Sequence, residues 1–404
     1  MDLFDKFDPL INQRAQLPFE KVDPFTIVMD EVHSETEATI AGRRTVLAGT
    51  NNYMGLTFNQ EALDAAKDAI DTFGTGTTGS RTLNGTYASH KALEARIAEF
   101  YGMEHCMVFS TGYQANLGMI STLCGKEDYL IIDADSHASI YDGSSMGVST
   151  VVRFKHNDPD NLERRLKRLP EDAGKLVVVE GIYSMLGDQA PLKELLEVAK
   201  KYGCMTLVDE AHSMGYCGEK GRGIAEMLGV EHLCDFILGT FSKSVGTMGG
   251  YCVSNHPKFD VLRVTCRPYV FTASPPPSII ASAHANLDAI ARSHNLRAHL
   301  WENARRLHSG LKSAGFDMTT PVAESAIIAV RLPDIMTATR FWEKLMLNGV
   351  YVNMSAPPAT PSNTYLMRVS LCAQHSVEQI DRIIAGFVKT AEETGIDLFK
   401  EAAE

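Results

Sequence analysis

No stretch of this sequence reaches the roughly 18 consecutive apolar residues that a membrane span requires. The opening MDLFDKFDPLINQR carries acids where a secretory signal would carry positive charge, and it lacks a continuous apolar core, so a cytoplasmic location is expected. Basic residues do not dominate either. With 38 Lys and Arg against 50 Asp and Glu the net charge is −12, which excludes an extended nucleic-acid surface and leaves any phosphorylated ligand to local donors. The eight cysteines never reach C-x-x-C spacing, and several lie in apolar runs such as HCMVFS and GYCVS. They read as buried reduced thiols, not as a disulfide framework or a metal site. There is no internal repeat and no low-complexity linker.

What is present is an ordinary globular composition, 45% apolar and 22% charged. The 404 residues suffice for one large domain plus a smaller one, since single cores stop growing at roughly 250 to 300 residues. Leu3, Phe4, Phe7, Leu10 and Ile11 recur at helical spacing. This stripe is expected to dock on the protein's own body or on a partner subunit. Asp2, Asp5 and Asp8 oppose the alternative, a weak contact with an anionic membrane surface.

From about residue 105 to 254, short apolar runs alternate with helical patterns: CMVFS, YLIID, TVVRF, KLVVVEG, MTLVDE, DFILGT and GGYCVS. The alternation predicts an α/β fold with a mostly parallel central sheet sandwiched by helices. A long helical stretch is expected at roughly 277 to 314. Three strand-like runs, SAIIAVRL, VYVNMS and TYLMRVSL, then precede a helical tail and predict a smaller α+β domain. The run LERRLKRLPED reads as the solvated face of a helix.

Two motifs fail on context. GTGTTG, at 74 to 79, satisfies G-x-G-x-x-G but follows the helical run EALDAAKDAIDTF, whereas a dinucleotide fingerprint follows a strand. LVDEAH, at 207 to 212, resembles the acidic box of an NTPase, yet no G-x-x-x-x-G-K-[ST] exists to clamp a nucleotide; Lys243 follows Ser242.

Four strand ends deliver complementary chemistry instead. HCMVFSTGYQAN places Thr111, Gly112 and Tyr113 where a strand turns into a helix, a geometry suited to a phosphate. YLIIDADSHASIYDG puts His137 just past the next strand, and TLVDEAHSMG sets Asp209 at a strand end with His212 beyond it. DFILGTFSKS brings Thr240, Ser242 and Lys243 to another. A carboxylate under a sheet edge is costly unless it meets a cation, and a pyridinium nitrogen is such a partner. Pyridoxal phosphate combines a lysine Schiff base with an acidic partner for its pyridine nitrogen, the residue types supplied by Lys243 and Asp209.

The motifs NNYMGL, GTGTTGSRTLNGTY, STGYQAN, DSHASI, EGIYSMLGDQAPL, VDEAHSMGYCGEKGRG, GTFSKSVGTMGGY, RPYVFTAS and PPATP resemble, in order and over nearly the whole chain, the α-oxoamine synthase family of fold-type I pyridoxal phosphate enzymes. The resemblance implies that Lys243 is the Schiff-base lysine, that Asp209 pairs with the pyridine nitrogen, and that His212 lies near the ring's phenolic oxygen. It further implies that His137 stacks on the ring and that Gly112, Tyr113, Thr240 and Ser242 contact or flank the phosphate. Thr272 resembles the residue that reaches the phosphate from the neighbouring subunit, which implies a homodimer with shared active sites. Arg368 resembles a clamp for a substrate carboxylate. Asn52 and Ser184 match positions near substrate and cofactor, and Arg81 lies in a matching motif without an assigned role. Tyr251 departs from the family pattern, which has Phe after the glycine pair.

On this resemblance we expect an N-terminal segment over 1–50, a large cofactor-binding catalytic domain over 51–290 and a small C-terminal domain over 291–404. GSRTLNGTY, RPYVFTAS and NMSAPPATP favour the branch that condenses L-serine with a long-chain acyl-CoA. The alternatives are a sister enzyme using alanine, glycine or another acyl-CoA, and a non-catalytic partner subunit. The latter is expected to lack the Schiff-base lysine.

Overall fold

The structure, a computed structural model, describes residues 2–361 and 363–396. Its strands are, in chain order, β1 (Met29–Val32), β2 (Glu37–Ile40), β3 (Arg43–Leu47), β4 (His105–Phe109), β5 (Tyr129–Asp133), β6 (Thr150–Phe154) and β7 (Lys175–Glu180). There follow β8 (Met205–Asp209), β9 (Phe236–Thr240), β10 (Gly250–Ser254), β11 (Ile327–Leu332), β12 (Val350–Tyr351), β13 (Asn353–Ser355) and β14 (Tyr365–Ser370). The chain forms two compact units. One comprises residues 51–184 and 188–301; the other comprises 2–50, 185–187 and the described residues from 302 onward.

In the larger unit all seven apolar runs become strands of one sheet, in the order β4-β10-β9-β8-β7-β5-β6. Every neighbouring pair is parallel except those of β10, which runs antiparallel to both β4 and β9. Reversing twice across β10 leaves β4 parallel to β9, so the carboxyl ends of β4, β5, β7, β8 and β9 share one edge. The α/β architecture with a mostly parallel sheet is the one expected. β7 and β9 are buried along their whole length, which explains why KLVVVE and FILGT read as continuous apolar runs and not as alternations. Each buried Val or Leu there contributes about 1.5–3 kcal/mol. Edge strand β6 is exposed at Thr150, Val151 and Arg153.

The helices follow the same logic. After β7, Leu192, Leu195, Leu196 and Ala199 repeat at i, i+3, i+4, i+7 and form the buried stripe of Leu192–Lys201. Glu194 in its first turn and Lys200 and Lys201 in its last oppose the helix dipole. The long helical stretch is two helices, Pro277–Arg292 and His294–Ser313. They part at Ser293, whose backbone leaves helical angles (φ −96°, ψ 56°) while its hydroxyl bonds back to Ala289 O.

In the smaller unit the three predicted runs become β11, the β12–β13 pair and β14. β11, β14 and β13 form an antiparallel sheet in that order. The helix Val377–Thr394 follows, started by a capping box between Ser376 and Gln379. A second sheet, β1-β2-β3-β12, comes mostly from residues 29–47, where no strands were expected. β1, β2 and β3 are four or five residues long, and β2 turns into β3 through Ala41 and Gly42, both at positive φ.

The N-terminal stripe differs from expectation. A single 3-10 turn, Asp5–Phe7, leads into the helix Asp8–Ala15, and Leu3, Phe4, Leu10 and Ile11 all stay exposed. Docking on the chain's own body is therefore corrected: the helix end is held instead by the ion pair of Arg14 with Asp23 and by Arg14 over the Phe25 ring. No described helix is long and apolar enough to cross a membrane.

Candidate active site

The shared edge of the large sheet begins with a cradle. Thr111 caps the helix Gly112–Leu123, accepting a hydrogen bond from Gln114 N–H at 3.0 Å, so the first helical N–H groups point outward at the end of β4. Gly112 packs so closely on Thr240 that a Cβ would lie 2.7 Å from the threonine Cβ. A Cβ on Gly250 would lie 2.6 Å from Gly112 N. These glycines let β4, β9 and β10 close beneath the helix start. Thr240 Oγ1 donates to Gly249 O at 2.9 Å, which makes the Ser242 hydroxyl the donor in its 2.8 Å bond to Thr240. Tyr113 is at the helix start, but its phenol bonds Asp142, so its main-chain N–H is its contribution to the cradle.

Asp209 closes β8, 4% exposed, with both carboxylate oxygens engaged. Asn116 Nδ2 donates to Oδ2 at 2.7 Å, and Ala211 N–H donates to Oδ1 at 2.9 Å. Asn116 was missed by sequence reasoning, although it lies four residues after Gly112 and thus on the same helix face. His212 follows, buried, with Nδ1 2.8 Å from the Tyr53 hydroxyl. Tyr53 belongs to NNYMGL, a motif for which only Asn52 had been considered. Asn52 uses its amide locally, accepting from Leu56 N–H and donating to Thr57 Oγ1, and so builds the 52–57 turn.

His137 stands at the end of β5 with its ring at an open face. Its Nδ1 accepts from Ser139 N–H at 3.2 Å, capping the helix Ala138–Met146, so in the neutral ring the proton is on Nε2. Partial burial holds this imidazole below its ordinary range; the Asp209 charge opposes the shift and Lys243 adds to it. The Tyr113 ring meets His137 edge-on at 6.2 Å. Lys243 is half-buried in the turn after β9, whose closure is the Gly246 N–H to Lys243 O bond of 3.0 Å. Ser184 is buried after β7. The larger unit thus brings Gly112, Tyr113, His137, Asp209, Thr240, Ser242 and Lys243 to one sheet edge.

Thr272 is half-buried in a segment pinned on both sides: Ser110 Oγ donates to Ala273 O at 2.6 Å, and Ser274 N–H donates to Gly79 O at 2.9 Å. Arg368, in the smaller unit, is 3% exposed on β14 and donates to Ser370 Oγ at 2.7 Å, so it is no exposed strand arginine. Arg81 acquires a structural role. It donates to Val108 O and Thr86 Oγ1, pairs with Glu94 at 2.8 Å and stacks over Tyr269. Tyr251 fills space that Gly239 leaves open, its hydroxyl 2.6 Å from that of Tyr101.

The donor set fits a phosphorylated pyridine aldehyde. Helix N–H groups and hydroxyls would suit its anion, Asp209 a ring cation, and the amine of Lys243 its aldehyde. Asn116 Oδ1, buried beside Asp209, has no protein hydrogen-bond donor among the described residues.

The fold is that of the fold-type I pyridoxal phosphate-dependent transferases, and residues 45–387 match the family model "Aminotransferase class I and II". The chain belongs to that family, in its α-oxoamine synthase branch. It is 54% identical over 396 residues to a serine palmitoyltransferase of Sphingomonas paucimobilis, covering 98% of this chain and 94% of the relative. A solved serine palmitoyltransferase of Sphingomonas wittichii has 58% identity and a TM-score of 0.96, covering 98% of this chain and all of the other. A solved structure of SPT with a PLP internal aldimine has 52% identity and a TM-score of 0.95 over the same shares.

Proposed function

We propose that this chain condenses L-serine with a long-chain acyl-CoA such as palmitoyl-CoA, releasing CoA and CO2 and giving 3-ketodihydrosphingosine, the first step of sphingolipid synthesis. The observation that carries this is the buried Asp209 carboxylate, held by Asn116 and Ala211 N–H, on the same sheet edge as Lys243 and the glycine-built cradle. Likeness at 54% identity over nearly the full chain supports the choice of serine and acyl-CoA.

Pyridoxal phosphate, when bound, supplies an electron sink for the pair left at the amino acid's α-carbon. The chain's residues do the rest. Helix N–H groups at Gly112 and Tyr113, with the Thr240 and Ser242 hydroxyls, hold the phosphate. Asp209 would meet the pyridine nitrogen, His212 would hydrogen-bond near the phenolic oxygen, and the open face of His137 would receive the ring. Lys243 would anchor the cofactor covalently, and its free amine would take the proton from the serine α-carbon. Arg368 grips the serine carboxylate with its fork of donors. Ser184 and Asn52 line the surroundings of cofactor and substrate. Holding two substrates in register supplies about 7–11 kcal/mol in well-aligned systems. Thr272 completes the phosphate site of the partner protomer, so the working unit is a homodimer, and the enzyme acts in the cytoplasm.

The test is to add L-serine and then palmitoyl-CoA to the pyridoxal phosphate-loaded protein while following its visible absorption and free CoA. A spectral change with serine and CoA release only with both substrates is expected. Product mass spectrometry over serine, alanine and glycine with acyl-CoAs of several lengths separates this reading from a sister synthase. A protein that stays colourless with pyridoxal phosphate would contradict it.

A further inference from the structure

Two carboxyl groups end adjacent parallel strands side by side. Glu180 on β7 and Asp209 on β8 are register partners, and both are nearly inaccessible, at 3% and 4% exposure. Their surroundings differ. Asp209 receives a side-chain amide and a main-chain N–H. Glu180 Oε1 receives the main-chain N–H of His137 at 2.6 Å. That bond ties the end of β7 to the residue where β5 gives way to the helix Ala138–Met146. The contact therefore sets where the His137 backbone stands, and Ser139, bonded to both His137 Nδ1 and Asn116 Nδ2, sets how its ring turns.

We propose that Glu180 is a positioning residue that works as the neutral acid: it fixes His137 through its main-chain N–H and adds no second negative charge beside Asp209. The inference rests on the functional reading above. Two adjacent buried carboxylates cannot both ionise cheaply, and Glu180, with the His137 N–H, has fewer of the donors that stabilise a charge than Asp209 has. Burial pushes the Glu180 carboxyl well above the carboxylate range and Asp209 pushes it further; the His137 N–H and Lys243 oppose, while Asp133 adds to the rise. A second negative charge here would compete with Asp209 for the ring nitrogen's proton. Neutrality lets Glu180 hold His137 without doing so.

The test compares Glu180→Gln and Glu180→Ala with the unaltered protein in three readouts. The infrared difference spectrum of wild type minus E180Q, taken at neutral pH without cofactor, is expected to carry a protonated-carboxyl stretch; a carboxylate band in its place overturns the proposal. The pH midpoint of the cofactor's visible band is expected to move by less than about 0.3 unit in E180Q. A move of about one unit or more, the effect of deleting a neighbouring charge, overturns it. E180A is expected to lower kcat at least about tenfold, with E180Q restoring most of it, because misplacement of a stacking group by about an ångström can cost a hundredfold. An E180A protein with wild-type kcat overturns the positioning role. If wild type itself takes up no pyridoxal phosphate, the functional reading falls, and this inference with it, even if the infrared result stands.

Discussion

Asn116 donates from Nδ2 to Asp209 Oδ2 at 2.7 Å and to Ser139 Oγ at 3.0 Å, so one amide links the buried acid to the helix that His137 caps. Hydrogen bonds to charged groups are worth about 1.5–3 kcal/mol. Asn116→Ala is therefore expected to weaken pyridoxal phosphate binding by about ten- to a hundredfold. Reconstitution of apoprotein, followed by the cofactor's absorption, reads this directly; an unchanged Kd would show that Asp209 needs no such support.

Arg81 and Glu94 form a buried ion pair, with side chains 2% and 5% exposed, that Arg263 and Lys91 extend. Removing Arg81 takes away the most deeply buried partner of Glu94 but leaves Arg263 and Lys91 beside it, so the cost falls short of that of a stranded buried charge, at about 2 kcal/mol. Arg81→Met is expected to lose about that much in urea denaturation, and R81M/E94M less than the sum of the single changes. Additive losses would show that the pair is not coupled.

Tyr101 and Tyr251 share a hydroxyl contact inside the core, where both are inaccessible or nearly so. Tyr251→Phe strands the Tyr101 hydroxyl and is expected to cost about 1–3 kcal/mol, whereas Y101F/Y251F recovers most of that loss. Phe at position 251 is thus expected to be tolerated in this chain only with a compensating change at Tyr101. A cost-free Y251F, measured by thermal unfolding, would contradict this.

His156 lies between Asp133 and Asp188, with ring nitrogens 2.9 and 2.8 Å from their oxygens. Burial alone would lower its pKa, but these bonds outweigh it and raise it to about 10. The unfolded ring titrates near 6.5. Below about pH 6.5 both states hold the proton and the ion pairs contribute in full. As pH rises toward 10 only the folded state keeps it, and that contribution is lost. The stability difference between wild type and His156→Asn is therefore expected to shrink from pH 6.5 to 10. A difference that is flat or grows over that range would contradict the ion pairing.

What could be read from the chain follows burial. KLVVVE and FILGT are legible because strands covered on both faces admit little but apolar side chains, and Lys243 was found as a chemical type just past FILGT, as Asp209 was at the end of MTLVD. The strands Glu37–Ile40 and Arg43–Leu47 were not legible, because EATI and RRTVL are too short and mixed to show a period. Asn116, Glu180 and Tyr53 escaped notice for a different reason. Their roles are long-range hydrogen bonds to Asp209, His137 and His212, and no local pattern announces a contact across 93, 43 or 159 residues. The exposed face of Asp8–Ala15 shows the converse: an apolar stripe at helical spacing does not by itself say what covers it.

The most direct test of the account is to load the protein with pyridoxal phosphate, reduce it with borohydride, digest it and locate the pyridoxyl label by mass spectrometry. The account predicts the label on Lys243, in the peptide bearing GTFSKSVGTMGG. A label on another lysine, or no label, would contradict it.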